Sequence, residues 1–593
     1  MKSTQNSIDY DTDQQKVGFP NNFDSNQKTE ENQNLLGDLK EQTQGLSLQQ
    51  AYAKIGGFSY FQYWASLVFI WGFTTGGCLF YALSFLEKQP RYLCFKQDGS
   101  TYECLADVFC NDPTIKHEVD WNFDSSLHNW VEDLDLTCVS SAKIGLIGSI
   151  YFIGWTTAAF ILPRLSDLYG RKKIYLFAMT GHLIMYIGII VSRNLNLTIA
   201  FMYFFGFFSL GRASVGYLYM TELTPAKQQT LVGTILQIFN GAITIAIALY
   251  FLYVSKWWMP FQIFCCATNF LIVLSIIPIP ESPKYLISKK KYDEARKALS
   301  IIARINRYKG SLDFKFDREV IEYSRSKINH SVSTLSISQE KSKHHAHQNQ
   351  NNLKSHGNHQ LTKQEELDLL KSPITVVKEE QQLNGTLKDL VKIRRHFINL
   401  MIMVMIWLAS SFDYYLINFQ LKYIHGDFFV NTIVASACEI PAYILGGIVY
   451  QKLGIKAVLI SCFAISVVGG ILLIIFADQE NIIPVFILLA RFGVSATFNI
   501  AYLANAQIFP TIFAGTAFGI CNIFAKMATI LSPMLAEVNP PVPMICFVIV
   551  AGIACIVSFF IITAKEVEDI DDNQIEDNSA SKISEKQISD QEL

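Results

Sequence analysis

The sequence is poor in charged residues. Only 17% of its 593 residues are Asp, Glu, Lys or Arg, against about 25% in an ordinary soluble protein. It also lacks a basic excess, because its net charge is -2, whereas nucleic-acid-binding domains usually carry clustered positive charge. The first shortage argues against a water-soluble globule, and the second against a nucleic-acid partner.

Enzyme motifs are missing as well. The chain has no glycine-rich phosphate-binding loop, no zinc motif and no nucleophile elbow. A His-rich stretch, KSKHHAHQNQNNLKSHGNHQ at 341–360, could bind a metal weakly, but its composition is more typical of a disordered polar linker. We therefore predict no enzyme, no cofactor and no metal site.

Apolar runs make up most of the remaining sequence. A helix that crosses a bilayer needs roughly 20 mostly apolar residues, and no signal-peptide core precedes the first such run. The first set covers 61–86, 144–163, 174–192, 197–220, 230–253 and 258–279. The second set covers 397–420, 430–450, 457–477, 482–504, 512–536 and 543–564. The sequence predicts an all-α membrane protein of twelve transmembrane helices in two six-helix bundles.

The polar segments set the predicted orientation. Lys and Arg concentrate in the loops around 164–173, 284–291 and 452–456, which the positive-inside rule places in the cytosol together with both termini. The predicted domains are a disordered N-terminal tail (1–55), a first bundle (56–286), a linker that is helical and then disordered (287–396), a second bundle (397–564) and an acidic tail (565–593).

A large loop on the predicted outer side, 87–143, carries four cysteines: Cys94, Cys104, Cys110 and Cys138. An even number of cysteines in an oxidising compartment suggests two disulfides, and three pairings are open. The alternative is four unrelated thiols.

The segment PRLSDLYGRKK (163–173), after the second run, resembles the loop signature of the major facilitator superfamily. That resemblance implies two related bundles with a substrate site between them near the midplane. It also implies an ion-pair gate at the cytosolic ends of the helices. The gating residues would be Asp167, Gly170, Arg171, Glu222 and Glu281.

Within that superfamily the chain is similar to the organic cation, organic anion and carnitine transporters. The matching segments are DLDLTC (133–138), PESPKYLISKKKYDEARKAL (280–299), HGDFFVN (425–431), EIPAYILG (439–446) and RFGVSATFNIAYLANAQIFPT (491–511). The resemblance implies a monomer that moves small organic ions across the plasma membrane by alternating access. Whether a proton or sodium is the coupling ion stays open.

Four ionisable residues stand out inside the predicted spans, all in the second half: Asp413, Glu439, Arg491 and Lys526. Such residues are costly in a membrane and are functional candidates by default. Glu439 and Arg491 match an acid and a base of the family. We interpret them first as a mutual ion pair and second as substrate ligands.

Lys526 bears on substrate charge. Cation-transporting relatives carry an acid there, and anion and carnitine relatives an arginine. Lys526 shares a predicted helix face with Asn522 and Thr529, where a fixed cation would attract a carboxylate. The alternative is a lysine that is neutralised by a nearby acid or that snorkels to an interface.

Asp413 departs from the family pattern, whereas the adjacent Tyr414 matches it. Asp413 and Glu439, with Tyr414, could hold a quaternary ammonium by charge and cation–π contact, or Asp413 could be the counter-ion of Lys526. In the first half, Gln237 matches a glutamine of the transport pathway. Trp155 faces either the cavity or its packing neighbours.

Several gate charges of the family are absent. Pro163 stands where the loop signature has glycine, Gln228 and Gln229 where an arginine is expected, and Gln507 and Ala514 where the second half has an acid and an arginine. The leading hypothesis is a carrier of organic anions or zwitterions. The alternatives are an organic cation carrier, and a non-transporting receptor or subunit of a membrane assembly.

Overall fold

The computed structural model describes residues 45–323, 387–509 and 511–562. The predicted C-terminal tail, most of the N-terminal tail and the His-rich part of the linker lie outside the described residues. The described chain divides into a small unit, 45–51 with 311–323, and a large unit that holds the remainder. Within the small unit, Leu46 and Phe316 form a parallel bridge.

The first six transmembrane helices follow the apolar runs of the sequence. They are α1 (Tyr60–Tyr81), α2 (Ser141–Tyr169), α3 (Arg171–Val191), α4 (Leu195–Leu210), α5 (Ala226–Tyr253) and α6 (Trp258–Ile276). Short segments extend two of them: Leu83–Leu86 continues α1, while the π-helical turn Gly211–Val215 and then Gly216–Leu223 continue α4.

The second six helices begin with α7 (Arg394–Gln420). Helix α8 begins as Phe428–Ala437, and the next helical segment, Glu439–Ile475, contains the rest of α8 and all of α9. The two are separated at Gly454, whose φ of 81° and ψ of 173° interrupt the helix. The remaining helices are α10 (Ile483–Ile508), α11 (Thr511–Thr529, continued by Leu531–Ala536) and α12 (Val542–Ser558).

The helix count agrees with the prediction. Ten helices in the described part of the chain are long and apolar enough to cross a membrane, and one of them, Phe428–Ile475, has 48 residues and holds two spans. Val542–Ser558 is a shorter apolar helix. Counted this way, the described residues contain the twelve spans of a multi-pass membrane protein.

Local chemistry explains several helix ends. Asn194 caps α4 by accepting from the backbone N–H of Leu197, and Asp427 caps α8 by accepting from those of Phe429 and Val430. Side-chain oxygens at this position satisfy donors that the first helical turn leaves free. Gly170 separates α2 from α3 with φ at 109°, a conformation that glycine adopts without strain.

The large loop between α1 and α2 forms a small disulfide-bonded domain. Strands β1 (Tyr92–Phe95), β2 (Thr101–Cys104) and β3 (His117–Val119) make an antiparallel sheet of order β2-β1-β3. Short helices Ala106–Asn111 and Trp130–Asp133 complete it. The prediction of two disulfides is confirmed, and the pairs are Cys94–Cys104 and Cys110–Cys138.

On the opposite side, short helices Pro283–Ser288 and Tyr292–Ile305 follow α6, and Leu387–Lys392 precedes α7. Residues 48–54 differ from the prediction that 1–55 is disordered, because they form the helix Leu48–Lys54. Tyr52 is buried there, and its hydroxyl donates to the carbonyl of Glu222 at 2.8 Å. This apolar packing stabilises a segment that the polar composition of the tail obscured.

We call the side with the disulfide-bonded loop the loop face and the opposite side the linker face. The two bundles meet close to the loop face. Ser149 of α2 donates to the carbonyl of Ile530 at 2.6 Å, and Ser84 donates to that of Asn418 at 2.9 Å. Gly148 lies so close to Pro533 that a Cβ would approach its ring to 2.8 Å. The loop face is therefore closed in this conformation.

Candidate functional site

Glu439 at the midpoint of α8 and Arg491 of α10 form a buried ion pair. Arg491 Nη2 lies 2.5 Å and Nε 3.2 Å from Glu439 Oε1. Tyr414 of α7 donates to the same oxygen at 3.0 Å, and Tyr443 donates to Oε2 at 3.3 Å. The arrangement matches the first interpretation of these two charges, a mutual pair that neutralises both.

Tyr414 is fully engaged in this cluster. Its carbonyl accepts from Arg491 Nη1 at 2.5 Å, and the guanidinium lies 3.8 Å from the centre of its ring. Tyr414 therefore supports the ion pair, and its hydroxyl is not available to Asp413.

Lys526 of α11 ends in an aromatic enclosure that both bundles contribute to. Its ammonium lies 4.8 Å from the ring centre of Tyr415, 5.5 Å from that of Trp155 and 5.8 Å from that of Phe498. It donates to the Ser411 hydroxyl at 3.4 Å, its one hydrogen-bond partner in the part of the chain that the structure describes. Trp155 comes from α2, so this lysine lies at a contact between the two bundles.

No carboxylate among the described residues lies within 4.0 Å of the Lys526 ammonium, which is 5% exposed. The Trp155 indole N–H is also buried without an acceptor. Two donors in one apolar enclosure thus lack an anionic partner. This geometry contradicts the interpretation of Lys526 as one half of an internal ion pair.

Asp413 lies on the other side of α7. Lys526 contacts Ser411 and Tyr415, and each of these is two positions, or about 200° of helix rotation, from Asp413. The Asp413 side chain is 0% exposed, and neither of its oxygens has a hydrogen-bond partner. The geometry therefore disfavours one of the two alternatives for Asp413, the counter-ion of Lys526, because helical rotation separates the two groups.

The remaining predicted substrate residues are half-buried. Gln237 lies on α5 one turn before Gly241, where a Cβ would come within 3.0 Å of Glu439 Oε2. Asn522 lies one turn before Lys526 on α11.

The predicted gate residues meet at the linker face, within the first bundle. Arg171 pairs with Asp167 and with Glu222, whose Oε2 lies 3.3 Å from Nε. Glu281 instead accepts from the backbone N–H groups of Arg171 and Lys172, at 3.0 and 3.1 Å. A carboxylate is favourable at this helix N-terminus. A Cβ at Gly170 would approach Glu281 Oε2 to 2.3 Å, so the glycine makes room for it.

A second ion cluster at the loop face was not predicted. Lys422 after α7 lies 2.8 Å from Glu87 after α1 and 2.6 Å from Glu537 after α11. The side chains of all three are buried, and Tyr423 also donates to Glu537. The cluster joins the two bundles. Lys422 and the two acids are single charged residues near helix ends. They are far apart in the sequence, and no sequence pattern predicts that they contact one another.

Arg212 was also missed, so the statement that the intramembrane charges all lie in the second half is wrong. It lies in the π-helical turn of α4 and is buried. Its Nη1 donates to the carbonyls of Phe73 and, at 2.8 Å, Gly72 of α1. A Cβ at Gly76 would overlap its guanidinium at 1.9 Å. An arginine inside the run 197–220 was a sufficient signal.

A family model described as Major Facilitator Superfamily matches residues 113–533. Among curated relatives, mouse "Solute carrier family 22 member 3" is 24% identical over 74% of this chain and 70% of its own length. Human "Organic cation/carnitine transporter 2" is 22% identical over 70% and 65%. "Solute carrier family 22 member 16" of Xenopus laevis is 24% identical over 70% and 63%. These relatives are transporters, in agreement with the prediction that the chain is not an enzyme.

Solved structures agree on the fold. The inward-open xylose transporter XylE from E. coli superposes with a TM-score of 0.52 at 12% identity, over 86% of this chain and 99% of XylE. A partially occluded inward-open form of XylE gives 0.51, also at 12% identity and over 86% and 99%. The chain belongs to the major facilitator superfamily, and within it resembles the organic cation and carnitine transporters of solute carrier family 22.

Proposed function

We propose that this transporter of organic ions carries small organic anions or zwitterions by alternating access, with Lys526 binding the anionic group. The observation that supports it is a buried ammonium at the junction of the two bundles, with no acid among the described residues within 4.0 Å. Burying a charge without a partner is costly. A substrate carboxylate in the enclosure would supply that partner and would accept from the Trp155 indole N–H as well.

We also propose an orientation of the protein in the membrane. Disulfides persist in oxidising compartments, which supports an extracellular loop face, cytosolic termini and residence in the plasma membrane. The protein acts as a monomer in this scheme. Gln237, Asn522 and Trp155 line the path beside Lys526, while Glu439 and Arg491 hold the second bundle in shape.

A second candidate, an organic cation carrier, is favoured by the aromatic rings around Lys526. Trp155, Tyr415 and Phe498 make the kind of enclosure that binds quaternary ammonium groups, and the names of the relatives include cation and carnitine transport. In the present conformation the lysine's own ammonium occupies that enclosure. A substrate cation would have to displace it.

Uptake into proteoliposomes tests the proposal with a panel of a monocarboxylate, a dicarboxylate, carnitine and tetraethylammonium. We expect the wild-type protein to take up carboxylates, Lys526→Arg to retain this uptake, and Lys526→Asp to abolish it. The reversed charge repels carboxylates at close range. Carboxylate uptake that is unchanged in Lys526→Asp, or wild-type uptake restricted to tetraethylammonium, would reject the proposal and favour the cation carrier.

A further inference from the structure

Asp413 is a buried acid that takes no part in the proposed substrate site. Its side chain is 0% exposed, and neither carboxyl oxygen has a hydrogen-bond partner among the described residues. Two other polar groups on the same strip of α7, the Ser410 hydroxyl and the Gln420 side-chain oxygen, are also buried without partners. These residues lie within about 60° of Asp413 around the helix. The strip faces away from the Lys526 enclosure.

No cation in the neighbouring helices compensates this acid. Helix α7 packs against α10, α11 and α12. Helix α10 carries one charged residue, Arg491, and α11 carries one, Lys526, while α12 has none. Arg491 is engaged by Glu439 and by the Tyr414 carbonyl. Lys526 points to the Ser411 side of α7. Neither of these two cations is therefore recorded as a partner of Asp413 in the part of the chain that the structure describes.

A carboxylate in this position would be an isolated ion in an apolar interior, which costs several kcal/mol or more. A neutral carboxylic acid avoids most of that cost. The closed-loop-face conformation therefore requires Asp413 to carry a proton. Ionised Asp413 requires a different conformation, in which water reaches this strip of α7.

We propose that Asp413 is the site of a coupling proton, bound in the loop-face-closed conformation and released when α7 rearranges. The proposal rests on the proposed function, and it assigns that function a coupling ion. In this scheme Asp413 takes up H⁺ as –COOH while the loop face is open and keeps it in the loop-face-closed conformation. When α7 rearranges, Asp413 returns the proton at the linker side as –COO⁻, so one proton moves with each organic anion. Proton–carboxylate symport with a monocarboxylate is then electroneutral.

Asp413→Asn tests the proposal, because asparagine matches the neutral acid in shape and cannot release a proton. In proteoliposomes, a gradient of one pH unit, acid on the loop side, should sustain up to about tenfold accumulation of a labelled monocarboxylate by the wild-type protein. We expect Asp413→Asn to lose this accumulation and to retain counterflow exchange of the same substrate. Ser410→Ala is the matched control on the same strip and should keep the response to the gradient.

Three results would overturn the inference. Asp413→Asn could accumulate substrate with the pH gradient as the wild type does. A sodium gradient, and not a proton gradient, could drive the wild-type protein. The variant could lose counterflow together with substrate binding while keeping its melting temperature, which would make Asp413 a substrate ligand. A wild-type protein that moves no carboxylate at all would instead reject the proposed function.

Discussion

The buried ionisable groups of this protein differ in what each one contacts. Glu439 and Arg491 neutralise each other, Arg212 meets the backbone carbonyls of α1, and Lys526 and Asp413 have no charged partner among the described residues. A paired charge that loses its partner leaves the other ion buried and uncompensated, whereas removal of an unpaired charge relieves a cost. Removing one member of an ion pair should therefore lower the stability of the protein, whereas removing an unpaired charge should not.

Arg491→Met should destabilise the protein strongly, by about 3–5 kcal/mol, because it leaves the Glu439 carboxylate buried without its cation. The double variant Glu439→Gln/Arg491→Met should recover most of the loss. Lys526→Met, which removes an unpaired ammonium of similar burial, should melt at or above the wild-type temperature. Thermal unfolding of the detergent-purified wild-type protein and the three variants measures these differences. An equal loss in Arg491→Met and in the double variant would show that the pair is not mutually compensating.

At the scale of single residues, sequence patterns identified most of the central charges but not their relations. The cost of ionisable residues in a membrane identified Asp413, Glu439, Arg491 and Lys526 as candidates. It did not show that Asp413 lies on one side of α7 and that Lys526 contacts the other side. That separation depends on the rotation of α7 against α11. Periodicity alone does not fix such a rotation when both helices are apolar on nearly every side.

Among the elements, the turn between α2 and α3 carries the densest set of interactions at the linker face. The guanidinium of Arg171 joins α2 and α4, and Glu281 after α6 accepts from the first N–H groups of α3. Four helix ends of the first bundle are thus held together. Nothing equivalent was expected in the second bundle, where Gln507 and Ala514 replace charged family residues.

Arg171→Ala should slow uptake severalfold while leaving the protein inserted, because it releases Asp167 and the buried Glu222 from their shared cation. Arg171→Lys keeps the charge but cannot span both carboxylates in the same forked geometry, so an intermediate rate is expected. The measurement is the initial uptake rate of the wild type and of both variants, normalised to the amount of protein in the membrane. Unchanged kinetics in Arg171→Ala would show that the linker face is controlled by other contacts.

The elements themselves were the most predictable feature of the chain. Long apolar runs fix the helices because a bilayer leaves few alternatives for the backbone. The disulfide-bonded loop was located from its cysteines, but the pairing Cys94–Cys104 and Cys110–Cys138 depends on the fold of the sheet. The π-helical turn of α4 has no sequence signal of its own.

At the scale of the whole molecule, the loop-face cluster joins the two bundles on the side that is closed in this conformation. Burial raises the pKa of Glu87 to about 7, with Glu537 adding to the effect and Lys422 opposing it. If the loop face opens, water hydrates Glu87 and its pKa returns toward about 4.3. Between these two values the closed conformation binds more protons than the open one. Acid therefore favours closure, and raising the pH through 7 favours opening.

This dependence can be read from the accessibility of Ser84→Cys, since Ser84 is buried where the bundles meet at the loop face. A membrane-impermeant maleimide should label this cysteine faster at pH 8 than at pH 6, after correction for thiolate content with an exposed cysteine. Glu87→Gln should remove most of the pH dependence, and Lys422→Gln should speed labelling at both pH values. Labelling that is equally slow in all three proteins would mean that the cluster does not control closure.

The central claim is that Lys526 binds the anionic group of the substrate. Its most direct test is a binding cycle on purified protein, using a monocarboxylate ligand and its uncharged amide against wild type and Lys526→Met. If the ammonium and the carboxylate pair in this apolar enclosure, the change to the amide should weaken binding to the wild-type protein by more than about tenfold. It should alter binding to Lys526→Met by no more than about twofold. The same carboxylate-to-amide ratio in both proteins would contradict the account.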